Sequence, residues 1–274
     1  MRGWYDGHMP EVLLEERHGP IVVLTLNDPA RANPLSAEMM AGLIASLEAT
    51  AVDSAVRAVI LTGAGRHFSA GADLAALERI ATGGGEGANL ADVEMLSRLF
   101  EVLLGHSKLT VAAVHGAAVA GGCGLATACD LVVAERGARF AYTEVRIGFL
   151  AAVVSTFLTR RVPGHVARRM LLDPEMLDGE RAVEIGLADE LAPEGEAVQT
   201  AVALARSVCA KASPSALAAT KALLNETVGL GWRDALESAA EANIHQRMDP
   251  ECAKGVRTFL GTKNTPNWLD DRDD

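Results

Sequence analysis

The sequence predicts an α/β fold that passes into an all-helical C-terminal region. Apolar β-branched runs alternate with helical spacing through the first half of the chain, which is typical of parallel strands joined by helical crossovers. After residue 151, helical patterns dominate. With 274 residues, 49% of them hydrophobic, the chain can bury a large core. We expect residues 10–200 to form the α/β core and residues 201–268 the helical region.

The first elements follow from alternation and capping signals. Val12–Glu16 and Ile21–Leu26 alternate on either side of a turn at His18–Pro20, which predicts a β-hairpin. Ser36 is a favourable N-cap, and Glu38–Thr50 has the apolar spacing of a helix.

The remaining elements continue the alternation. Buried strands are predicted for the apolar β-branched runs Val56–Thr62, Thr110–Val114 and Asp130–Glu135. The glycine-rich segment Thr82–Gly87 is expected to be the most flexible, and Asp92–His106 to form a helix. A short apolar helix is expected to begin near Gly121, and helices should follow over Ala152–Leu260.

Charge and cysteine content argue against several classes of protein. A net charge of −11 and a pI near 5.1 disfavour nucleic acid as a partner, because phosphate binding needs a cationic surface. No apolar run approaches the ~20 residues that span a bilayer, so no membrane segment is expected. The cysteines lack CxxC spacing, and neither His67 nor His115 has further metal ligands nearby. We expect free thiols, no metal site and a cytoplasmic protein.

Two motifs rich in small residues stand where a strand should turn into a helix. They are HFSAGADL at His67–Leu74 and HGAAVAGGCGLATACD at His115–Asp130. Small residues leave backbone N–H groups unshielded at such turns, so a ligand oxygen can approach them. Two facing turns would form an oxyanion hole of main-chain amides, which stabilises an enolate and indicates thioester chemistry. The alternative is a pair of close-packing turns with no ligand.

Four ordered motifs carry a resemblance to a known family. Besides the two above, they are PARANPLS at Pro29–Ser36 and FAYTEVRIG at Phe140–Gly148. From Glu11 to Trp268 the chain resembles the enoyl-CoA hydratase/isomerase (crotonase) family. The resemblance implies a crotonase-like spiral of ββα units, holding the CoA and acyl site, with a C-terminal all-helical trimerisation region. It also implies an acyl-CoA thioester substrate, no separate cofactor, and a homotrimer or a dimer of trimers (a hexamer).

The resemblance implies three catalytic residues. The N–H groups of Ala72 and Gly121 would form the oxyanion hole, and both residues stand at predicted helix N-termini, where the dipole favours negative charge. Glu144 would activate water and transfer the proton. Its apolar neighbours would desolvate the carboxylate and raise its pKa. The alternative for Glu144 is a structural ion pair with Arg146 or another cation.

Position 124 departs from the family pattern. Two-glutamate hydratases carry their other carboxylate there, whereas this chain has Gly124. Hydration would then rely on one glutamate and ordered water, or the chain would be a Δ3,Δ2-enoyl-CoA isomerase. Glu86, Asp92 or Glu94 could assist, and the alternative for these three is that they are solvated charges.

The CoA site is also implied by the resemblance. The residues implied in CoA binding are Arg31, Ser69, Ala70, Asp73, Leu74, Phe259 and Lys263. Arg31 would approach the phosphates, and the backbone around Ser69, Ala70 and Asp73 would hold the adenine. Asp73 has the alternative of capping the following helix. Phe259 and Lys263 would reach the CoA bound by a neighbouring subunit.

Together these features predict an enoyl-CoA hydratase of fatty-acid or branched-chain acid breakdown. The isomerase is the second hypothesis. A catalytically poor CoA- or RNA-binding member of the family is the third, and the acidic pI speaks against RNA.

Overall fold

The computed structural model describes residues 12–79, 82–83 and 85–270, without the side chain of Glu86. The strands, in chain order, are β1 (Leu13–His18), β2 (Ile21–Leu26), β3 (Pro34–Leu35), β4 (Ala58–Gly63), β5 (Gly71–Ala72), β6 (Leu109–Val114), β7 (Ala117–Val119), β8 (Leu131–Glu135), β9 (Arg139–Ala141), β10 (Leu177–Asp178) and β11 (Glu190–Ala192). The α-helices are α1 (Ala37–Val52), α2 (Leu74–Arg79), α3 (Gly85–Leu104), α4 (Gly121–Thr127), α5 (Ala152–Arg161), α6 (Gly164–Leu172), α7 (Gly179–Glu184), α8 (Ala197–Lys211), α9 (Pro214–Glu226), α10 (Trp232–Arg247) and α11 (Pro250–Thr262).

The central sheet has the strand order β1-β2-β4-β6-β8-β11. The predicted hairpin is confirmed, since β1 and β2 pair antiparallel, while each later neighbour pairs parallel. Both faces of the sheet are covered, and alternate residues of β4 show this. Val59 and Leu61 pack into the cluster beneath α1 and α3, whereas Ala58 and Ile60 pack against α8.

Helix α1 begins as predicted, because the Ser36 hydroxyl accepts a hydrogen bond from the Met39 amide at 3.2 Å. Helix α3 differs from the prediction, since it begins at Gly85 and so takes in part of the segment expected to be flexible. Its C-terminal half is anchored by the buried residues Leu99, Phe100 and Leu103. Once this half is packed, further turns add hydrogen bonds without a new nucleus, which outweighs the glycines at its start.

Two small sheets lie beside the central sheet and carry the motif residues. Strand β3 pairs with β5, and β7 lies beside β9, which also pairs with β10. An isolated bridge between Ser69 and Ala118 joins the segment before β5 to β7. The motif at His67–Leu74 and the motif at His115–Asp130 are thereby held side by side.

Of the helices after β11, α8 packs on the sheet, α9 contacts the core through Leu217 and Lys221, and α10 and α11 pack against α9. The buried residues Ala197, Ala201, Ala205 and Cys209 hold α8 against the sheet. The boundary predicted between residues 200 and 201 therefore falls within a helix of the core packing. No residue of α9, α10 or α11 is buried. Within the described ranges, every helix is too short or too polar to traverse a lipid bilayer.

Candidate active site

The two motifs meet through their backbones. A methyl group on Gly71 would lie 2.6 Å from the Val119 carbonyl oxygen and 2.8 Å from the Gly121 amide nitrogen. Gly71 also has a φ of +83°, which side chains rarely tolerate. Only glycine therefore allows this approach. It brings the residues Ala72 and Gly121 together, and we call their two N–H groups the amide pair.

The residue before α4 has an unusual backbone conformation. Ala120 has φ 51° and ψ −125°, outside the regions that non-glycine residues favour. Such a conformation costs roughly 1–3 kcal/mol and is typical of functional sites. It is held by the Ala120 amide, which donates to the Ala141 carbonyl at 2.8 Å, and by the Gly124 amide, which donates to the Ala120 carbonyl at 3.0 Å. These bonds fix the peptide that carries the Gly121 N–H, which has no intrahelical acceptor at the first position of α4.

Two cavities adjoin the amide pair. The first has a volume of about 500 Å³ and is called the larger cavity of the two. Its walls are mostly apolar and include Pro34, Leu74, Leu77, Val119, Ile147, Phe149 and Met176. Ala70, Ala72 and Glu144 also line it. A cavity of this size and character is suited to part of a small-molecule substrate.

Glu144 is the carboxylate on the wall of the larger cavity. It opens a 3₁₀ turn over residues 144–147 and is 8% exposed. Its Oε2 atom is buried and has no hydrogen-bond partner among the described residues. Burial raises its pKa, although hydrogen bonds from the amides of Glu144 and Thr143 oppose this rise. A poorly solvated carboxylate with a free oxygen can accept a proton from a bound molecule.

A second cavity of about 280 Å³, called the smaller cavity, shares Arg31, Ala72, Asp73 and Leu77 with the larger one. The smaller cavity is lined in addition by Gly121, by Leu35, Met40 and Leu96, and by the charged residues Glu38, Arg79 and Asp92. The amide pair thus lies where the two cavities adjoin. A thioester bound there could extend its two arms in different directions.

The space beside Gly124 is occupied. A Cβ at this position would lie 2.3 Å from Cγ1 of Val154 and 3.3 Å from Cζ of Phe100. Carbon atoms pack at about 3.5–4.0 Å, so no side chain fits unless Val154 moves. The absence of a carboxylate at position 124 is therefore built into the packing of α3, α4 and α5.

The residues expected to bind CoA fall into those that line a cavity, the buried Ser69, and the exposed pair Phe259 and Lys263. Ala70 and Leu74 line the larger cavity, and Arg31 and Asp73 line both cavities. Arg31 pairs with Asp28 and Asp73, its Nη1 lying 3.0 Å from Asp73 Oδ2. The hydrogen bond with Asp28, and then both carboxylate charges, raise the pKa of Arg31.

Asp73 also caps α2, as one interpretation of the sequence had it. Its Oδ1 accepts hydrogen bonds from the amides of Ala75 and Ala76 at 3.1 and 3.2 Å. The carboxylate therefore holds both Arg31 and the start of α2.

Ser69 lies away from the cavity walls and is fully buried. Its amide donates to the Ala117 carbonyl at 3.1 Å, and its carbonyl accepts from the Val119 amide at 2.9 Å. Its hydroxyl donates to the Asn33 carbonyl at 2.7 Å and accepts from the Gly71 amide. These bonds use the groups that were expected to contact CoA, so Ser69 supports the motif from behind.

The other candidates lie outside the two cavities. Phe259 on α11 and Lys263 after it are exposed and line neither cavity. Glu94 is exposed and lines neither cavity, whereas Asp92 lines the smaller one. The Glu86 side chain lies outside the described part of the chain. Among the described residues, no group of three His, Cys, Asp or Glu side chains could hold a metal ion.

Asn33 is a positioning residue that the sequence interpretation missed. It is fully buried, and its side-chain amide donates to the carbonyls of Ala64, His67 and Phe68 at 2.9, 2.8 and 3.2 Å. Its own φ is +55°, a conformation that asparagine tolerates better than most residues. The asparagine directly before a proline in PARANPLS was the available signal.

The chain is similar to known proteins of one family. The family model for enoyl-CoA hydratase/isomerase matches residues 16–271. A Thermus thermophilus protein provisionally named an enoyl-CoA hydratase is 46% identical over 248 residues, covering 90% of this chain and 97% of the relative. The 2,3-dehydroadipyl-CoA hydratase of Escherichia coli is 32% identical, covering 93% of this chain and 98% of the relative.

Solved structures give the same result for the fold. The structure of an enoyl-CoA hydratase from Mycobacterium smegmatis has a TM-score of 0.85 at 30% identity, covering 94% of this chain and 98% of that one. The crotonase-like α/β fold expected from the motifs is therefore confirmed. The chain belongs to the enoyl-CoA hydratase/isomerase family.

Proposed function

We propose that this protein is an enoyl-CoA hydratase that adds water to the double bond of a 2-enoyl-CoA thioester. The observation that carries the proposal is the meeting of the two motifs at Gly71 and Gly121, beside a cavity whose wall holds Glu144. The names of the relatives from Thermus thermophilus and Escherichia coli support the same reaction type.

In this proposal the thioester oxygen accepts hydrogen bonds from the Ala72 and Gly121 amides. Each donor of this kind is worth about 3 kcal/mol of barrier, because it is already oriented toward the developing charge. Glu144 takes one proton from water, the water oxygen bonds to Cβ, and the double-bond electrons move onto the thioester as an enolate. Glu144 then returns the proton to Cα. The product is a 3-hydroxyacyl-CoA, and no separate cofactor is consumed.

The CoA part of the substrate is proposed to lie along Arg31, Ala70, Asp73 and Leu74. Arg31 supplies the cation near the phosphates, while Asp73 sets its orientation. Ser69 contributes by holding the motif in place.

Residues on α10 and α11 support the proposal of a homotrimer or a dimer of trimers. Leu236, Ile244, Phe259 and Leu260 leave at least half of their area exposed in the single chain. Phe259 and Lys263 would meet the CoA of a neighbouring copy there. We place the enzyme in the cytoplasm, in fatty-acid or branched-chain acid breakdown.

Gly124 favours a second candidate, a Δ3,Δ2-enoyl-CoA isomerase that needs only one carboxylate. Incubation of 2-enoyl-CoA and 3-enoyl-CoA, separately, in H2¹⁸O distinguishes the two activities. The hydratase forms 3-hydroxyacyl-CoA that carries ¹⁸O, whereas the isomerase interconverts the two alkenes without taking up the label. Glu144→Gln should retain CoA binding and lose about 10²–10⁴-fold in turnover. Unchanged turnover in that variant would refute the role of Glu144 in either reaction.

A further inference from the structure

One helix reaches from the closed space at Gly124 to the smaller cavity. Asp92, Leu96 and Phe100 of α3 are spaced four residues apart and so lie along one face of the helix. Phe100 closes the space beside Gly124, while Leu96 and Asp92 line the smaller cavity together with Gly121. The helix that helps to exclude a carboxylate at position 124 therefore presents another carboxylate beside the amide pair.

Asp92 differs from the other carboxylates that line the smaller cavity. Asp73 is held by Arg31 and by the first amides of α2. Glu38 is exposed on the first turn of α1. Asp92 is half-buried, and it forms no hydrogen bond or ion pair with any described residue. Its acceptor oxygens are therefore available to a molecule in the cavity.

The surroundings of Asp92 are unfavourable to its charge. Burial, and then the neighbouring charge of Asp73, raise the pKa of Asp92. Arg31 and Arg79 line the same cavity, but neither forms an ion pair with Asp92, and Arg31 is held by Asp28 and Asp73. A carboxylate kept in such a place without a structural partner is typical of a functional group.

We propose that Asp92 is a further catalytic residue of the hydration reaction, and this rests on the proposed hydratase function. Asp92 lines the smaller cavity and Glu144 the larger one, so the attacking water is proposed to lie where the two cavities adjoin, beside the amide pair. There the Asp92 carboxylate accepts a hydrogen bond from one O–H of the water and holds it against Cβ. The other O–H gives its proton to Glu144, so the proton balance of the reaction is unchanged. The chain thus supplies its second carboxylate from α3 instead of α4.

The test compares wild type with Asp92→Asn and with Glu94→Gln as the matched control. Glu94 lies on the same helix, is exposed and lines neither cavity. Hydration of 2-butenoyl-CoA is followed by steady-state kinetics. Exchange of the Cα protons of butanoyl-CoA in D2O is measured in parallel, because it needs the amide pair and Glu144 but no attacking water.

We expect Asp92→Asn to lower kcat of hydration about 10- to 100-fold, with KM changed less than about twofold and proton exchange retained. Glu94→Gln should match wild type in both assays. The proposal is overturned by an unchanged kcat in Asp92→Asn, by an effect on KM alone, or by an equal loss of hydration and exchange. If wild type hydrates no 2-enoyl-CoA yet exchanges Cα protons, the proposed hydratase function itself fails.

Discussion

The packing around Gly124 permits a quantitative prediction. Gly124→Ala removes a glycine from a helix interior, which by itself favours folding by about 1 kcal/mol. The new methyl group would lie 2.3 Å from Cγ1 of Val154. Overpacking of this kind costs about 1–3 kcal/mol. The single variant should therefore range from neutral to about 2 kcal/mol less stable than wild type.

The second arm of the experiment is Val154→Ala, which deletes two methyl groups from a side chain that is 3% exposed. The lost burial alone costs about 1.6 kcal/mol, at about 0.8 kcal/mol per carbon. In the double variant, the methyl group of residue 124 enters the space that Cγ1 has left, where the Cβ of residue 154 lies 3.2 Å away. The free energy of unfolding of the double variant should therefore be at least about 1 kcal/mol higher than the value expected if the two single effects were additive.

Urea unfolding of the four proteins measures this coupling at one fixed protein concentration, because an oligomer's apparent stability depends on concentration. Equal slopes with different midpoints would show that stability has changed and the unfolding transition has not. Additivity within about 0.5 kcal/mol would refute the conclusion that Val154 occupies the space of a side chain at position 124.

Three further predictions concern other parts of the site and fold. Burial raises the pKa of Glu144, and its protonated form cannot take a proton from water. The value of kcat/KM should therefore increase with pH as Glu144 loses its proton, and the midpoint of this increase should lie above 4.5, the ordinary pKa of a glutamate. A pH profile with its acid limb at or below 4.5 would contradict this. Gly71→Ala should lower turnover at least about 100-fold, because its methyl group would meet the Gly121 amide. Steady-state kinetics beside a circular dichroism spectrum would check this, and near-normal turnover would count against the amide pair. Arg57→Ala should cost about 3 kcal/mol, because its guanidinium binds the carbonyls of Cys209 and Ala212 at 3.3 and 3.0 Å and that of Trp268. A loss under about 1 kcal/mol in urea unfolding would show that these contacts stabilise little.

Much of the fold could be predicted because its signals are local. The alternation of Ile21–Leu26, the cap at Ser36 and the small residues before Gly121 each act within a few residues. The family followed from four motifs in order. The start of α3 was placed too late, because glycine content indicates propensity and carries no information about the packed turns downstream.

The candidate site was predictable only in part, for a physical reason. Sequence shows that position 124 lacks a side chain, but the contact with Val154 joins α4 to α5 and is a property of tertiary packing. The burial of Ser69 behind the motif depends likewise on the remote strand β7. Asp92 lines the smaller cavity, whereas Glu94 is exposed. This difference depends on how α3 is oriented about its own axis, which the sequence alone does not specify.

The meeting of β5 with the start of α4 also sets when the protein becomes active during folding. Ala72 is held by pairing with β3, while the peptide before Gly121 is held by β9, and these segments are distant in the chain. Non-local contacts of this kind form late, since long loops must close first. A fragment that lacks β3 or β9 lacks one of the contacts that hold the two donors. On refolding, we expect turnover to recover with the docking of the small sheets, after most of the helical signal has returned.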